Sequence, residues 1–287
     1  MMDVLLQAIV QGLLIGSTYG LVALGLGLIY SVSSVVNFSH GDFLAFGMFL
    51  CLTLYGALAL DPYVSVFVTA PILAACGAAL YWWVIRRIIG GHMLMVIQLT
   101  LGLSLMLQNG LLMAYGGQPH RVPSMAETKL LILGDVVMRW PLLIAFGVSI
   151  VLSGLLFVML TYTDFGRAIR AVHQHPKAAA LMGVRVGRIR MQVFGLGFGV
   201  LAVAAALLIP GTPLQPGMGL RYTVVTLLVL VLGGMSNFAG ILLGGFVIGL
   251  SEAIGTIYVS GTIGMLLPYL IFVLVLLFRP AGILGKA

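Results

Sequence analysis

The chain has 287 residues, of which 61% are hydrophobic and only 7% are charged, and its mean hydropathy is +1.19. Soluble domains carry about 25% charged residues, so this composition excludes a water-soluble protein and indicates an integral membrane protein. So little polar sequence leaves no room for a separate soluble catalytic domain, and residues 1–287 are predicted to form a single transmembrane domain.

The predicted elements are transmembrane helices, each needing about 20 mostly apolar residues to cross the hydrocarbon core. The N-terminus lacks the basic region of a cleavable signal peptide, so the first apolar stretch is expected to remain as a span. The segment 223–234 is too short to cross alone at about 1.5 Å per residue, so 223–258 is interpreted as a broken pair. The sequence thus predicts an all-α membrane protein with eight or nine spans, at 5–30, 42–60, 62–85, 93–115, 141–161, 191–210, 223–234, 238–258 and 262–278.

Positive charges predict the orientation of these spans. Ten of the fourteen Lys and Arg residues follow the third, fifth and last spans, and the other four fall on the opposite side, at Arg121, Lys129, Arg139 and Arg221. Because loops rich in Lys and Arg stay in the cytoplasm, the C-terminus is predicted inside and the N-terminus outside. No basic stripe is interleaved with aromatic residues on a soluble module, so nucleic-acid binding is not indicated.

The segment "VVNFSHGDFLAFG" places Asn37, His40 and Asp42 in an otherwise apolar chain. The predicted span limits put His40 and Asp42 near a helix end that water can reach. Asp42 either interacts with the positive N-terminal end of the second helix or takes a direct part in gating or passage. A His beside an Asp also permits acid–base chemistry, but no nucleophile or metal-ligand cluster accompanies them. Cys51 and Cys76 lie in apolar runs and are interpreted as packing residues.

Two loops have distinct charge patterns. The external loop 117–140 carries both signs of charge and is either a contact for a partner protein or a solvated loop. The cytoplasmic loop 164–190 is basic, and within it Pro176 is placed to start a helix and Gly183 to end one. Such a two-turn helix, with an apolar face at Ala178, Leu181 and Met182, is too short to be stable alone and is expected to dock on a cytoplasmic partner. The alternative is an ordinary positively charged inner loop.

Two further features are an acidic residue within a predicted span and a pair of similar short segments. Glu252 lies near the middle of a predicted span, where it either serves function, for example as a proton carrier, or bonds a neighbouring Ser or Thr. The segments "VNFSHG" and "SNFAG" are alike, by chance or as an internal repeat whose helix breaks face each other in a two-part path. On the second interpretation the path is lined by Asn37, Phe38, Ser39, His40, Gly41, Asp42, Asn237 and Phe238.

Three segments, "GSTYGLVALGLGLIYSVSSVVNFSHGDFLAFGMF", "FGRAIRAVHQHPKAAALMGV" and "LVLGGMSNFAGILLGGFVIGLSE", resemble the LivH-type permease subunits of bacterial ABC importers for branched-chain amino acids. Ser39 stands where that family commonly has alanine, and His173 and His175 stand where acidic or small residues are usual. The resemblance implies residues that couple the chain to an ATPase, namely Gly166, Arg167, Arg170, Pro176, Lys177, Ala180, Leu181, Met182 and Gly183.

The resemblance also implies a division of labour in a bacterial cytoplasmic (inner) membrane. Two homologous permeases pair, two cytoplasmic subunits bind and hydrolyse ATP, and an external solute-binding protein delivers substrate. The chain has no Gly-x-x-x-x-Gly-Lys-Ser/Thr phosphate loop, so it is expected to be a transport subunit, not an enzyme, and to need no cofactor of its own. Its expected activity is inward movement of a hydrophobic amino acid by alternating access. Import of urea or a short amide, and an ion-coupled secondary carrier, are the alternatives.

Overall fold

The computed structural model describes residues 2–134, 136–235, 237–259 and 261–285. Lys286, one of the charges predicted to be cytoplasmic, lies outside these residues. The described chain is built from helices α1 Met2–Ser33, α2 His40–Leu58, α3 Pro62–Leu80, α4 Arg86–Ile88, α5 Met93–Tyr115, α6 Trp140–Tyr162, α7 Asp164–Gln174, α8 Pro176–Leu181, α9 Val186–Leu208, α10 Met218–Gly233, α11 Phe238–Tyr258 and α12 Leu267–Phe278.

Each predicted span coincides with one of these helices. In the described ranges, seven helices are long and apolar enough to cross a membrane, and α10 and α12 are shorter apolar helices. A π-helical turn at Tyr81–Ile85 joins α3 to α4, and 3₁₀ turns at Ile209–Gly211 and Gly261–Leu266 extend α9 and precede α12. The all-α membrane architecture is therefore confirmed, and the break predicted between the two halves of 223–258 is present after Gly233. The number of crossings stays a prediction.

A β-hairpin and a helix outside the spans were not predicted. Strands β1 Leu130–Leu133 and β2 Val136–Arg139 form an antiparallel hairpin within the predicted external loop. The Gln7 side chain both donates to the Val137 carbonyl, at 2.8 Å, and accepts from the Val137 N–H, at 2.9 Å, which ties the hairpin to the start of α1. Helix α7 precedes the predicted short helix and is capped by Thr163, whose hydroxyl oxygen accepts a hydrogen bond from the Gly166 N–H.

Helices α1 and α11 pack antiparallel along a row of glycines. Gly12 and Gly16 of α1 face Gly249 and Gly245 of α11 in reverse order. A Cβ atom on Gly16 would lie only 2.6 Å from the Gly245 carbonyl oxygen, and one on Gly249 only 2.4 Å from the Gly12 carbonyl oxygen. Membrane helices have no hydrophobic driving force between them and gain stability from such close backbone approach. The glycines therefore place α11 directly against α1.

Helix α1 lies at the centre of the bundle and α5 and α6 at its periphery. In the most apolar part of α1, 89% of the residues are buried, against 22% in α5 and in α6. On its other side α1 meets α9, where Gly25 and Gly197 approach each other so closely that a Cβ on Gly197 would lie 2.7 Å from the Gly25 carbonyl oxygen. Peripheral helices instead present large apolar side chains outward, as lipid-facing surfaces do. Examples are Met106, Met113 and Leu155.

The two ends of the bundle differ. One end, which we call the hairpin end, carries β1–β2 and the start of α1, together with the backbone pairing of His120 with Leu214. The other, the α7–α8 end, carries those two helices and the last residues of the chain. There Arg190 donates to the Val32 carbonyl at 2.8 Å, and the Ile283 N–H donates to the Leu232 carbonyl at 2.8 Å.

The glycine contact between α1 and α11 predicts a contrast between two substitutions of the same kind. Gly16→Ala places a methyl group against the α11 backbone, and overpacking of this sort costs about 1–3 kcal/mol. Gly154→Ala on peripheral α6 meets open space and gains helix propensity, so it is expected to leave stability unchanged or slightly higher. Thermal unfolding in detergent measures the difference, and equal melting temperatures for the two variants would contradict the packing role.

Candidate translocation site

Helix α2 begins inside the bundle. The chain leaves α1 at Ser33, turns at Ser34, which has a positive φ of 53°, and starts α2 at His40. The imidazole Nε2 of His40 lies 3.2 Å from the carbonyl oxygen of Val22. Val22 precedes the end of α1 by eleven residues, which is about 16 Å of helix. The segment between the two helices therefore runs back into the interior before α2 starts.

The turn that starts α2 is held by side chains. The Asn37 side-chain oxygen accepts hydrogen bonds from the Ser39 N–H, at 3.1 Å, and from the Ser39 hydroxyl, at 2.7 Å. The Gly41 N–H, one of the first-turn donors that have no partner within their own helix, donates to the Thr223 hydroxyl of α10 at 2.9 Å. The start of α2 thus depends on a neighbouring helix for its hydrogen bonds.

The first turns of α2 and α10 interlock through glycine. A Cβ on Gly41 would lie 2.1 Å from the Gly219 carbonyl oxygen, and a Cβ on Gly219 would lie 2.2 Å from an Asp42 carboxylate oxygen. Both positions therefore exclude any side chain. Gly41 therefore marks a close contact between α2 and α10.

His40 and Asp42 are fully buried, with 0% exposure, so the expectation that water reaches them is wrong. These residues are buried because α2 begins inside the bundle and not at its surface. One Asp42 carboxylate oxygen accepts a hydrogen bond from the Gln108 side-chain amide of α5 at 2.9 Å. The His40 ring meets the Phe198 ring edge-on, with centroids 6.2 Å apart. Across the described residues, the second Asp42 oxygen, His40 Nδ1 and Asn37 Nδ2 have no hydrogen-bond partner.

The second predicted segment, Asn237 and Phe238, lies at the α7–α8 end of the bundle. Asn237 caps α11, because its side-chain oxygen accepts from the Gly240 N–H at 3.1 Å, and its amide donates to the Leu284 carbonyl at 2.9 Å. Phe238 lines a cavity of about 180 Å³ together with Ser31 of α1. The hydrogen bonds of Asn237 thus go to its own helix and to the chain end, not to the start of α2.

Two of the predicted coupling residues, Gly166 and Arg170, hold α7 against the end of α6. A Cβ on Gly166 would lie 2.0 Å from the Leu160 carbonyl oxygen, so this position requires glycine. Arg170 donates to the carbonyl oxygens of Leu160 and Thr161, the last turn of α6, where cations are favourable. Arg167 forms an ion pair with Asp164 on α7 itself.

The remaining coupling residues form the predicted short helix and its end. Helix α8 starts at Pro176 and ends at Leu181, and Gly183 follows with a φ of +87°. Ala179 is buried, whereas Leu181 and Met182 are 89% and 85% exposed. Lys177 and Ala180 are exposed as well. Helix α8 therefore presents an apolar surface that the described chain does not cover.

Glu252 has a partner that the sequence analysis did not assign. Its carboxylate accepts a hydrogen bond from the Arg221 guanidinium of α10 at 3.0 Å, in place of the Ser or Thr considered above. The Glu252 side chain is only 20% exposed and that of Arg221 is 62% exposed. The pair joins α10 to α11, and the partly buried carboxylate is neutralised by a cation that reaches the surface.

Two polar residues of the site were missed, Gln108 and Thr223. Each interrupts an otherwise apolar span, in "LSLMLQNGLLM" and "LRYTVVTLLV". A polar residue in a span tends to face the bundle interior, so the signal was present in the sequence. The sequence does not show which residue of α2 each of them would bond.

Comparison with known proteins gives a consistent picture. Residues 8–276 match the family described as the permease component of branched-chain amino acid transport systems. The chain is 28% identical to the high-affinity branched-chain amino acid permease BraD of Pseudomonas aeruginosa, with 98% of this chain and 96% of BraD covered. It is equally similar, at 28% with the same coverage, to LivH of Salmonella typhimurium. A probable LivH from Methanocaldococcus jannaschii is 28% identical over 92% of this chain and 88% of its own.

The contact between α2 and α10 predicts the effect of a single methyl group at two glycines of α2. Gly41→Ala forces α2 away from the α10 backbone and is expected to lower the melting temperature and transport activity together. Gly56→Ala, near the other end of the same helix, meets nothing within 4 Å and is expected to preserve both. Purified protein in detergent and vesicle uptake provide the two measurements. Normal stability and uptake in Gly41→Ala would contradict the closed contact.

Proposed function

The chain belongs to the permease-component family of branched-chain amino acid transport systems, and from this membership we propose that it forms the membrane path of an ABC importer for an aliphatic amino acid. The observation that carries the proposal is that the family match extends over almost the whole membrane domain. The chain is thus a multi-pass membrane protein and a transport subunit. Branched-chain amino acids, which the names of the relatives specify, are the proposed substrates.

The proposed assembly contains a second homologous permease, two cytoplasmic ATP-binding subunits and an external solute-binding protein. ATP is bound by the partner subunits. Helix α8 supports an ATPase contact, because Leu181 and Met182 project from a short helix with nothing of this chain covering them. Exposed apolar residues of this kind, rimmed by Lys and Arg, are typical of protein interaction sites.

The proposed orientation puts the α7–α8 end and the C-terminus in the cytoplasm and the hairpin end outside. The supporting observation is that Arg167, Arg170, Arg185, Arg188 and Arg190 cluster in and after α7, whereas the hairpin end carries charges of both signs. The membrane is proposed to be the inner membrane of a bacterium.

The proposed path includes the start of α2, from Asn37 to Asp42, with Asn237 and Phe238 nearer the cytoplasmic end. Three polar atoms of the α2 start are buried without a hydrogen-bond partner in the described chain, and such groups are costly. A second conformation in which water reaches them would offset that cost. The structure is therefore interpreted as the closed state of the path, which opens when α2 separates from α10.

Reconstitution tests the function. The permease pair, its ATPase subunits and the solute-binding protein are placed in vesicles and supplied with labelled leucine, valine, isoleucine or urea. We expect amino acid uptake only with ATP. Uptake of urea alone would contradict the substrate, and uptake driven by a pH gradient without nucleotide would contradict the ABC mechanism.

The exposed residues of α8 predict a loss of partner binding. Leu181→Asp combined with Met182→Asp requires two charges to be buried against the ATPase, so co-purification of that subunit is expected to fall at least tenfold. Ile132→Asp, an exposed apolar position in the hairpin at the opposite end, is the control and is expected to retain the partner. Pull-down and gel filtration measure binding and folding. Full recovery of the ATPase with the double variant would contradict the α8 contact.

The orientation predicts which positions an impermeant thiol reagent reaches from outside. In a background without Cys51 and Cys76, Arg121→Cys is expected to react in intact cells, whereas Arg167→Cys is expected to react only in inverted vesicles. Mass-tagging on gels measures both. Labelling of the two positions from the same side would refute the orientation.

A further inference from the structure

A cavity of about 360 Å³ opens at the hairpin end of the bundle, and its lining contains none of the residues from Asn37 to Asp42. It lies between α1, α6, α9 and α10, with the external loop at its mouth. Its volume falls in the range of small-molecule sites, about 300–1,000 Å³. Its lining consists of an apolar wall and a charged rim. Neither has a role in the proposed path or in the proposed ATPase contact.

The apolar wall comes from the middle of α1, the first turns of α6 and the last turn of α9. It contains the aliphatic side chains Ile15, Leu142, Ala145, Leu207 and Leu208. Ala145 is almost completely buried. Tyr19 of α1 and Tyr222 of α10, both buried, line the same cavity. This wall suits a compact hydrocarbon group, for which burial is favourable.

The charged rim holds two cations and one anion. Arg139, Arg221 and Glu127 line the same cavity. The described chain contains two ion pairs, Arg167 with Asp164 and Arg221 with Glu252, so Arg139 and Glu127 are not paired with each other. Arg221 has five N–H donors and donates one hydrogen bond to Glu252, which orients the guanidinium and leaves donors for another acceptor. The cavity therefore offers unneutralised charge of both signs beside an apolar wall.

We infer that this cavity binds a free zwitterionic α-amino acid with an aliphatic side chain before it enters the bundle. The guanidinium groups of Arg139 and Arg221 receive the carboxylate, with geometry suited to paired hydrogen bonds. Glu127 receives the ammonium group, and the aliphatic wall receives the side chain. A ligand lacking either charge leaves one side of the rim unmatched. The inference rests on the proposed function, since it names a site for the proposed substrate class.

The test uses the assembled transporter in lipid nanodiscs without nucleotide and without the solute-binding protein, which would itself capture the probe. Equilibrium binding of labelled L-leucine is measured, with unlabelled leucine, leucinamide and 4-methylpentanoate as competitors. Leucinamide lacks the carboxylate and 4-methylpentanoate lacks the ammonium group. We expect each to compete at least tenfold more weakly than leucine.

Arg139→Gln is the decisive variant, because Arg139 lies at the rim and forms no ion pair within the described chain. It is expected to weaken leucine binding by tenfold or more. Lys129→Gln removes the same charge at an exposed position beside β1 that does not line this cavity, and it is the matched control with unchanged binding. Arg221→Lys, which keeps the charge and loses the planar fork, is expected to give a smaller loss.

Wild-type affinity in Arg139→Gln, equal competition by the singly charged analogues, or no leucine binding to the wild type would overturn the cavity assignment. Uptake with ATP, measured on the same preparations, separates this failure from failure of the proposed function. ATP-driven leucine uptake without leucine binding at the cavity rejects the cavity alone. Absence of ATP-driven uptake of any amino acid rejects the importer.

Discussion

The direct contact of helix backbones at glycine positions is the constraint on which the rest of this structure depends. In lipid, apolar side chains gain little by meeting one another, so helices associate where their backbones can approach closely. Gly16 against Gly245 places α11, and Gly25 against Gly197 places α9, both on the central helix α1. The same close approach recurs between α2 and α10, where Gly41 meets Gly219.

The close contact between α2 and α10 helps to explain why the polar residues at the start of α2 are buried. A helix that starts inside the bundle leaves its first N–H groups without water, and backbone of this kind is tolerated in membranes only where protein or a cavity satisfies it. The Thr223 hydroxyl accepts a hydrogen bond from the Gly41 N–H, and the Gln108 amide donates one to an Asp42 carboxylate oxygen. Three other polar atoms at the start of α2 have no hydrogen-bond partner in the described chain. The start of α11, by contrast, is capped by the side chain of Asn237. We therefore propose that α2 is the moving part of the path.

Hydropathy and turn chemistry in the sequence predict much of this fold, because both are local. The span at 93–115 and the short helix between Pro176 and Gly183 agree with the structure to within a residue or two. The four-residue strands were missed because such short apolar runs have no distinct periodicity. The burial of His40 and the pairing of Glu252 with Arg221 were also not predictable. Both depend on how deeply one helix sits against another, which is a tertiary property that a single sequence does not display.

The central claim is that the buried start of α2 is a closed section of the path that opens during transport. Ser39→Cys, in a background without Cys51 and Cys76, tests it most directly, because Ser39 is fully buried and cysteine is close to serine in size. The account predicts that a small water-soluble thiol reagent leaves Cys at this position unmodified in the resting complex. It predicts rapid modification, and loss of uptake, once ATP and substrate drive turnover. Continued uptake with no modification in any state would contradict the claim.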